Sequence, residues 1–273
     1  MSAGFLGEMA AASQARVAGA RRLRSEAELL RLVAGLGPAP RLCLDASGFD
    51  LIAELKLRSP AAGALRAPDE NIPQRVSAYA RGGAAAVSVL TEPTRFDGQL
   101  EHLDSAAAAL LPMRVPALRK DFLVDPYQVL EARLAGAGGI LLILRMLSRA
   151  QIDALLDCAC AQGMFVLLEA FDDQDIEQMH AVVQAHGAGM ELLAGVNCRD
   201  LRTLEVVPPR LLELLPLLPR EVPRVAESGV TTAADARGVA AAGYEMALVG
   251  SALMRGGDPQ ALAAAMLVAG RSA

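Results

Sequence analysis

The feature that most constrains the fold of this chain is a rhythm of eight short apolar runs, each followed by a helix-length amphipathic segment. The runs predict strands at residues 49–55, 85–90, 115–118, 139–144, 164–170, 192–197, 223–228 and 246–250. Nearly continuous apolar strands that alternate with helices are typical of a parallel sheet covered on both faces. Eight such units within 273 residues favour an α/β fold with one closed (β/α)8 TIM barrel over an open doubly wound sheet.

Residues 1–48 stand outside this rhythm and have a polar, helical pattern. We interpret them as an N-terminal helical extension that packs on the barrel, which itself takes residues 49–273. No linker-like tract of serine, glycine and proline divides the chain, so one structural domain is expected in all.

The charge balance argues against a nucleic acid as partner. The formal net charge is −5, the isoelectric point is near 5.3, and the longest basic run is RRLR at residues 21–24. A nucleic-acid-binding surface requires a concentrated basic patch, which this sequence lacks. An anionic small molecule stays a candidate ligand, because a site for it needs only local positive charge.

No segment predicts export or insertion into a membrane. Glu8 interrupts the region where a signal peptide would be apolar. The longest uncharged apolar run, residues 134–144, is about half of the roughly 20 residues that a membrane-spanning helix requires. The four cysteines are scattered and predicted to be reduced. We therefore expect a cytoplasmic protein without membrane contact, as a monomer or a weak homo-oligomer.

Polar residues follow the predicted strands at the ends where a barrel of this kind carries its active site. They are Glu54, Lys56, Arg119, Lys120, Glu169, Asn197, Arg199, Glu227, Ser228 and Ser251. Charged groups at the ends of buried strands are costly unless they are paired. A salt bridge that closes the barrel would explain any one of them, but not charges after strands one, three, five and seven together. Arg119 and Lys120 are adjacent and point to opposite sides of their strand, so at most one of them faces the barrel axis.

Glycines after the last two strands predict a phosphate site. Gly229 and Gly250 permit close approach of the backbone, and Ser228 and Ser251 add hydroxyl donors. Barrels that bind phosphate monoesters often use these two loops and a nearby helix N-terminus. Either loop alone could simply turn the chain from strand to helix, but two of them in the expected places favour phosphate.

The sequence contains no recognisable binding motif for a metal or a cofactor. The three histidines, His102, His180 and His186, fall in predicted helices or their flanks, which argues against a histidine base and an imidazole-bound metal. No G-x-G-x-x-G follows the first strand and no P-loop is present. Protonated lysine as general acid and carboxylate as base can work without either, so we expect no metal and no cofactor.

Six segments between residues 52 and 255 resemble, in order, the signature segments of the indole-3-glycerol phosphate synthases of tryptophan biosynthesis. They read IAELKLRSPAAG, AVSVLTEPTRFDGQLEHL, PALRKDFLVDPYQVLEARLAGAGGILLI, LLEA, GVNCRDLRTLEV and VAESGVTTAADARGVAAAGYEMALVGSALMR. The resemblance implies a carboxy-lyase that converts 1-(2-carboxyphenylamino)-1-deoxyribulose 5-phosphate into indole-3-glycerol phosphate, carbon dioxide and water.

The same resemblance implies a role for each polar residue. Lys120 would be the general acid that protonates the ketone during ring closure, and Glu169 the base or proton shuttle of the dehydration. Lys56 would hold the substrate carboxylate or assist as a second acid. Glu54, Asn197 and Glu227 would orient these groups and the substrate hydroxyls. The phosphate would be held by Ser59, Ser228, Gly229, Gly250 and Ser251, with Arg199 near the substrate.

Three departures from the family pattern and three alternatives stay open. Arg145 stands where small or apolar residues are typical, and Cys198 where Asn or Ser is usual. The first loop reads SPAAG where the family usually has SPSKG, so Ala61 and Ala62 replace a hydroxyl and a cation, and weaker substrate binding is expected. The alternatives are a paralogue serving a specialised indole pathway, a phosphoribosylanthranilate isomerase and a catalytically silent phosphosugar-binding barrel. The isomerase would need cysteine and aspartate where Glu54 and Glu227 stand, and a silent barrel would have lost Lys120 or Glu169.

Overall fold

The computed structural model describes residues 4–46, 48–61, 63–65, 70–200, 203–255 and 257–273. The strands are β1 (Asp50–Leu55), β2 (Arg58–Ser59), β3 (Gly63–Ala64), β4 (Ala86–Leu90), β5 (Ala117–Lys120), β6 (Gly139–Ile143), β7 (Phe165–Ala170), β8 (Leu192–Asn197), β9 (Arg224–Glu227) and β10 (Met246–Val249). The α-helices are α1 (Phe5–Leu23), α2 (Glu26–Ala34), α3 (Ile72–Arg81), α4 (Pro93–Phe96), α5 (Leu100–Leu110), α6 (Pro126–Leu134), α7 (Arg149–Ala161), α8 (Asp173–His186), α9 (Pro209–Leu214), α10 (Ala233–Ala242), α11 (Ser251–Arg255) and α12 (Pro259–Arg271). Short 3-10 helices occupy Leu111–Met113, Leu144–Met146 and Leu215–Leu217.

Eight parallel strands close into a barrel in the order β1-β10-β9-β8-β7-β6-β5-β4. This confirms the predicted (β/α)8 TIM barrel, since each apolar run of the sequence became one of its strands. The largest difference lies in β5, which continues through Arg119 and Lys120 because both residues pair in register with β4. A two-stranded hairpin of β2 and β3 follows β1 and was not predicted.

Alternation along the strands separates two apolar cores. One set of side chains fills the barrel interior and includes Ile52, Leu118, Leu167, Leu193 and Val225. The other set points outward and packs against the surrounding helices. The residues that continue the inward set at the carboxyl ends of the strands therefore face the barrel axis.

Local capping explains where several helices begin and end. Ser148 and Thr232 each form a capping box at the start of α7 and α10, and Asp125 caps α6. Helix α10 ends at Gly243, whose φ of 119° suits glycine. These caps lie where the sequence places Asp, Ser, Thr and Gly around its helical segments.

The N-terminal helices contact the barrel through polar groups as well as apolar ones. Gln128 at the start of α6 donates a hydrogen bond to the buried Ser13 hydroxyl of α1 at 2.9 Å. Arg16 of α1 pairs with Asp121, which follows β5. The division of the chain at residue 48 stays a prediction. None of the described helices is long and apolar enough to span a membrane.

Candidate active site

A cavity of about 320 Å³ opens at the carboxyl-terminal end of the barrel strands. Eleven of the twelve residues to which the family resemblance gives a role line it: Glu54, Lys56, Lys120, Glu169, Asn197, Arg199, Glu227, Ser228, Gly229, Gly250 and Ser251. Strand alternation brings them together, because Lys120, Glu169 and Glu227 each come two residues after an apolar side chain of the barrel interior.

Lys120 lies between two buried carboxyl groups. Its Nζ donates hydrogen bonds to Oε2 of Glu169 at 2.6 Å and to Oε2 of Glu227 at 3.2 Å. Burial alone would lower the pKa of Lys120, but the attraction of Glu169, Glu227 and Glu54 outweighs it and raises this pKa above its ordinary value. Lys120 is therefore protonated at neutral pH and has two acceptors for the proton that it holds.

The surroundings of Glu227 disfavour its charged form, because it is buried beside another carboxyl group. Its burial and the nearby charge of Glu169 raise its pKa well above the ordinary value, although Lys120 acts in the other direction. Its Oε1 atom is buried and has no hydrogen-bond partner among the described residues. Glu169, Lys120 and Glu227 thus form a chain of groups along which a proton can move.

A second lysine–carboxylate pair lies in the same cavity. Lys56 Nζ donates a hydrogen bond to Glu54 Oε1 at 2.6 Å, and both side chains are largely buried. The two lysines and their carboxyl partners therefore bring two amine groups and three carboxyl groups into the cavity. Such a set can donate and accept protons at more than one position of a bound molecule.

The structure settles which of the two adjacent basic residues faces the axis. Lys120 points into the barrel, whereas the Arg119 guanidinium turns outward and is buried against neighbouring elements. Arg119 donates to the Gln128 carbonyl at 2.8 Å and to the Thr91 hydroxyl at 3.1 Å, and it pairs with Asp121 at 3.2 Å. Arg119 is thus held in contacts outside the cavity, and its neighbour Lys120 is the basic residue of the two that lines it.

The loops after β8 and β9 are joined by Asn197. Its Oδ1 accepts hydrogen bonds from the Ser228 hydroxyl at 2.9 Å and from the backbone N–H of Arg199 at 3.0 Å. Ser228 has a φ of 67° and Gly229 a φ of 77°. A left-handed backbone is unusual for serine, and the bond to Asn197 helps to hold this turn in place.

An apolar wall of the cavity was not predicted from the sequence. It is formed by Phe5, Phe96, Phe122, Leu141, Ile143 and Leu248. Phe5 of α1 packs edge-to-face on Phe122 with ring centroids 5.8 Å apart. Only six phenylalanines and no tryptophan occur in the chain, so the convergence of three of them on one cavity indicates a surface for a flat, apolar group.

The rarity of lysine in this chain is a further sequence signal for the site. Of the 26 lysine and arginine residues in the chain, Lys56 and Lys120 are the only lysines, and both line this cavity. Arginine cannot release its proton near neutral pH, whereas lysine can when its surroundings favour it. Lysine at these two positions therefore permits proton transfer as well as charge pairing.

Ser59 is the predicted site residue that lies outside this cavity lining. It is buried in β2 and pairs with Gly63 of β3. Ala61 follows in the turn of this hairpin, and Ala62 lies outside the described residues. The predicted contact of Ser59 with phosphate stays a prediction.

Comparison with known proteins adds a family to this geometry. A family model described as indole-3-glycerol phosphate synthase matches residues 20–266. The indole-3-glycerol phosphate synthase of Micrococcus luteus is 44% identical over 251 residues, which cover 88% of each chain. That of Parafrankia sp. is 43% identical, covering 85% of this chain and 84% of the relative.

A solved structure supports the fold. The 3-hexulose-6-phosphate synthase of Salmonella typhimurium superimposes with a TM-score of 0.60 at 14% identity, over 81% of this chain and 98% of that one. At this level of identity the likeness concerns the barrel alone.

Proposed function

The chain belongs to the indole-3-glycerol phosphate synthase family, and we propose that the barrel cavity performs this reaction with its two lysine–carboxylate pairs. The enzyme is a carboxy-lyase of tryptophan biosynthesis, EC 4.1.1.48, and acts on a small phosphorylated molecule. It converts 1-(2-carboxyphenylamino)-1-deoxyribulose 5-phosphate into indole-3-glycerol phosphate with loss of carbon dioxide and water.

The two ends of this substrate match two opposite sides of the cavity. In the closed strand order, β9 and β10 lie across the barrel from β5 and β6. The loops after β9 and β10 carry Ser228, Gly229, Gly250 and Ser251, which we propose hold the phosphate. The facing side carries Phe122, Leu141 and Ile143 of the apolar wall, which suit the carboxyphenyl ring.

Ring closure joins the ring carbon that carries the carboxylate to the ketone carbon of the sugar chain. As this bond forms, the ketone oxygen gains negative charge and requires a proton. We assign this proton to Lys120, whose charge is maintained by Glu169 and Glu227 until the transfer. Carbon dioxide then leaves, and its bonding electrons restore the aromatic ring.

Dehydration completes the indole. The hydroxyl made from the ketone leaves as water after it takes up a proton, and the adjacent sugar carbon loses a proton to form the double bond. Glu169 is proposed as the base or shuttle of this step, because it contacts the amine of Lys120 directly at 2.6 Å. Lys56, paired with Glu54, is proposed to hold the substrate carboxylate or to act as the second acid.

The remaining polar residues are proposed to orient this machinery. Asn197 links the loops that carry Arg199 and Ser228, so it fixes the edge of the site next to the phosphate loops. Arg199 donates to the Leu204 carbonyl at 2.7 Å, which holds its guanidinium beside the cavity. Glu227 is proposed to keep Lys120 aimed at the ketone.

The observation that carries the assignment of the acid is the position of Lys120 between two buried carboxyl groups. The test follows indole fluorescence in purified protein mixed with the substrate, without added metal or nucleotide. Lys120→Ala and Lys120→Arg are run beside the wild type. Because arginine keeps the positive charge but cannot give up a proton near neutral pH, both variants should lose at least about 100-fold in turnover.

Two results would contradict this assignment. Turnover in Lys120→Arg close to that of the wild type would reduce the role of Lys120 to charge, and the acid would move to Lys56. Binding of the substrate without turnover in the wild type would favour the silent barrel instead.

We also propose that the enzyme works in the cytoplasm, without nucleic acid, as a monomer or a weak homo-oligomer. The net charge of −5 and the lack of a long basic run support the absence of nucleic acid. Sedimentation over a range of protein concentrations tests the third, and a stable dimer at nanomolar concentration would contradict it.

A further inference from the structure

The carboxyl group of Glu227 lies directly over a glycine of the neighbouring strand. Gly195 belongs to β8, and the register places it beside Val225, two residues before Glu227 on β9. It shares the inward face of β8 with Leu193 and Asn197, so any side chain there would enter the barrel. A Cβ atom at Gly195 would lie less than 3.0 Å from Oε1 of Glu227 and 3.3 Å from its Cδ.

A glycine in the middle of a buried strand needs a reason, because it weakens the strand and fills no space. Close approach of another group is one such reason. The same arrangement occurs at the second lysine pair, where a Cβ at Gly250 would lie 3.0 Å from Cδ of Glu54 and closer to its Oε1. In both cases the carboxyl group that holds a lysine occupies the space of a missing side chain, at Gly195 within β8 and at Gly250 directly after β10.

We propose that Gly195 is a positioning residue, whose missing side chain leaves the space in which the Glu227 carboxyl group reaches Lys120. The atom that a new methyl group would meet first is the far end of a flexible side chain. The new Cβ would also lie 3.0 Å from Cδ1 of Leu167, which is again the end of a flexible side chain. The fold can therefore accept a methyl group by moving the carboxyl group, with a small shift of Leu167. That movement breaks the 3.2 Å contact between Glu227 Oε2 and Lys120 Nζ.

The decisive experiment is Gly195→Ala, with Gly238→Ala as matched control. Gly238 lies within α10, and its Cβ would meet no heavy atom within 4 Å. We expect Gly195→Ala to keep its circular dichroism spectrum and to lose roughly 10- to 100-fold in kcat, with KM changed less than twofold. Gly238→Ala should match the wild type in kcat and KM.

The scarcity of lysine allows a readout that does not depend on turnover. In protein labelled with 13C and 15N at lysine, only Lys56 and Lys120 give side-chain signals, and Lys56→Arg assigns them. Gly195→Ala should shift the Lys120 signal and leave that of Lys56 in place. The effect on kcat rests on the proposed function, whereas the shift of the lysine signal is measured without substrate and tests the positioning separately.

Rescue distinguishes positioning from general damage. Glu227→Asp shortens the side chain by one methylene and removes the clash with an alanine at 195. The double variant should therefore recover part of the turnover lost in Gly195→Ala, although Glu227→Asp alone lowers it. Should Gly195→Ala fail to fold, the double variant must fold for the proposal to stand.

An unchanged Lys120 signal in folded Gly195→Ala would overturn the proposal. So would additive losses in the double variant, because additivity means that the two positions do not share the space.

Discussion

Replacing Arg16 with leucine should loosen the N-terminal helix from the barrel and weaken substrate binding. Arg16 of α1 donates to Asp121 Oδ1 at 2.6 Å and lies 3.4 Å from Glu92 Oε1. Asp121 and Glu92 are almost completely buried, whereas about a quarter of the Arg16 side chain is exposed. Leucine keeps most of the apolar stem of Arg16 but removes the charge and its donors.

The size of the effect follows from what Asp121 retains. Removing one partner of a fully buried ion pair costs about 3–5 kcal/mol when the other charge is left uncompensated. Asp121 keeps the Thr91 hydroxyl at 2.8 Å, the Arg119 guanidinium at 3.2 Å and the backbone N–H of Phe122 at 2.8 Å. The expected loss is therefore nearer to one charge-assisted hydrogen bond, about 2 kcal/mol.

Substrate binding should change because the same helix carries Phe5. Phe5 lines the cavity and packs on Phe122, so a loosened α1 disturbs the apolar wall but not Lys120. We expect KM to rise several-fold while kcat changes less. Urea unfolding measures the loss in the free energy of unfolding. Steady-state kinetics at saturating and at limiting substrate concentrations separate kcat from KM.

The control for this prediction is Arg22→Leu, an exposed position on the same helix that should change the stability by less than about 0.5 kcal/mol. Equal stabilities of Arg16→Leu and Arg22→Leu would refute the energetic reasoning. A clear loss of stability with unchanged KM would refute the link between the ion pair and the cavity.

Three further predictions concern titration, the first loop and the loop after β7. The raised pKa of Glu227 lets the folded protein keep a proton that the unfolded chain releases near pH 4.5. The wild type should therefore lose stability relative to Glu227→Gln as the pH rises above about 4.5. Urea unfolding at several pH values measures this difference. A pH-independent difference would contradict this. Changing Ala61 to serine and Ala62 to lysine together should lower KM, and an unchanged substrate affinity in titration would end the loop hypothesis. Arg145 pairs with two aspartates after β7 and lies over the Phe171 ring, so it should hold the loop that follows Glu169 in place. Arg145→Ala should therefore speed amide hydrogen exchange in this loop and lower the stability by about 1 kcal/mol or less. Unchanged exchange there would contradict a role of Arg145 in holding the loop.

The barrel could be predicted because apolar runs and strands coincide in this chain. Strand β8 matches its predicted run at both ends, since Leu192–Asn197 is apolar up to the polar residue that enters the cavity. Strand β5 was predicted to begin and end two residues too early, because Arg119 and Lys120 look like loop residues when each charge is considered alone. The hairpin of β2 and β3 has only two residues in each strand, too few for a periodic signal.

The site was predictable as a set of residues but not as a set of contacts. The polar residues that line the cavity could be predicted from the strand ends and the motifs. Side chains alternate along a strand, and this alternation decides which of them face the barrel axis. The strand ends and the motifs did not pair Lys120 with Glu169 and Glu227, which come from strands far apart in sequence. Nor could they show that Phe5 reaches the cavity, since that depends on how α1 crosses the end of the barrel.

The two lysines show why the site requires more than positive charge. Elsewhere the chain uses arginine whenever it needs a cation, even for the buried Arg119, whose planar head spans several acceptors at once. In the proposed reaction, an arginine at position 56 or 120 would hold its protons throughout. An ammonium group is compact and can pass a proton to a ketone oxygen and recover one from a neighbouring carboxyl group. The carboxyl partners of both lysines then need space beside them, which is provided by the glycine at 195 within β8 and the glycine at 250 directly after β10.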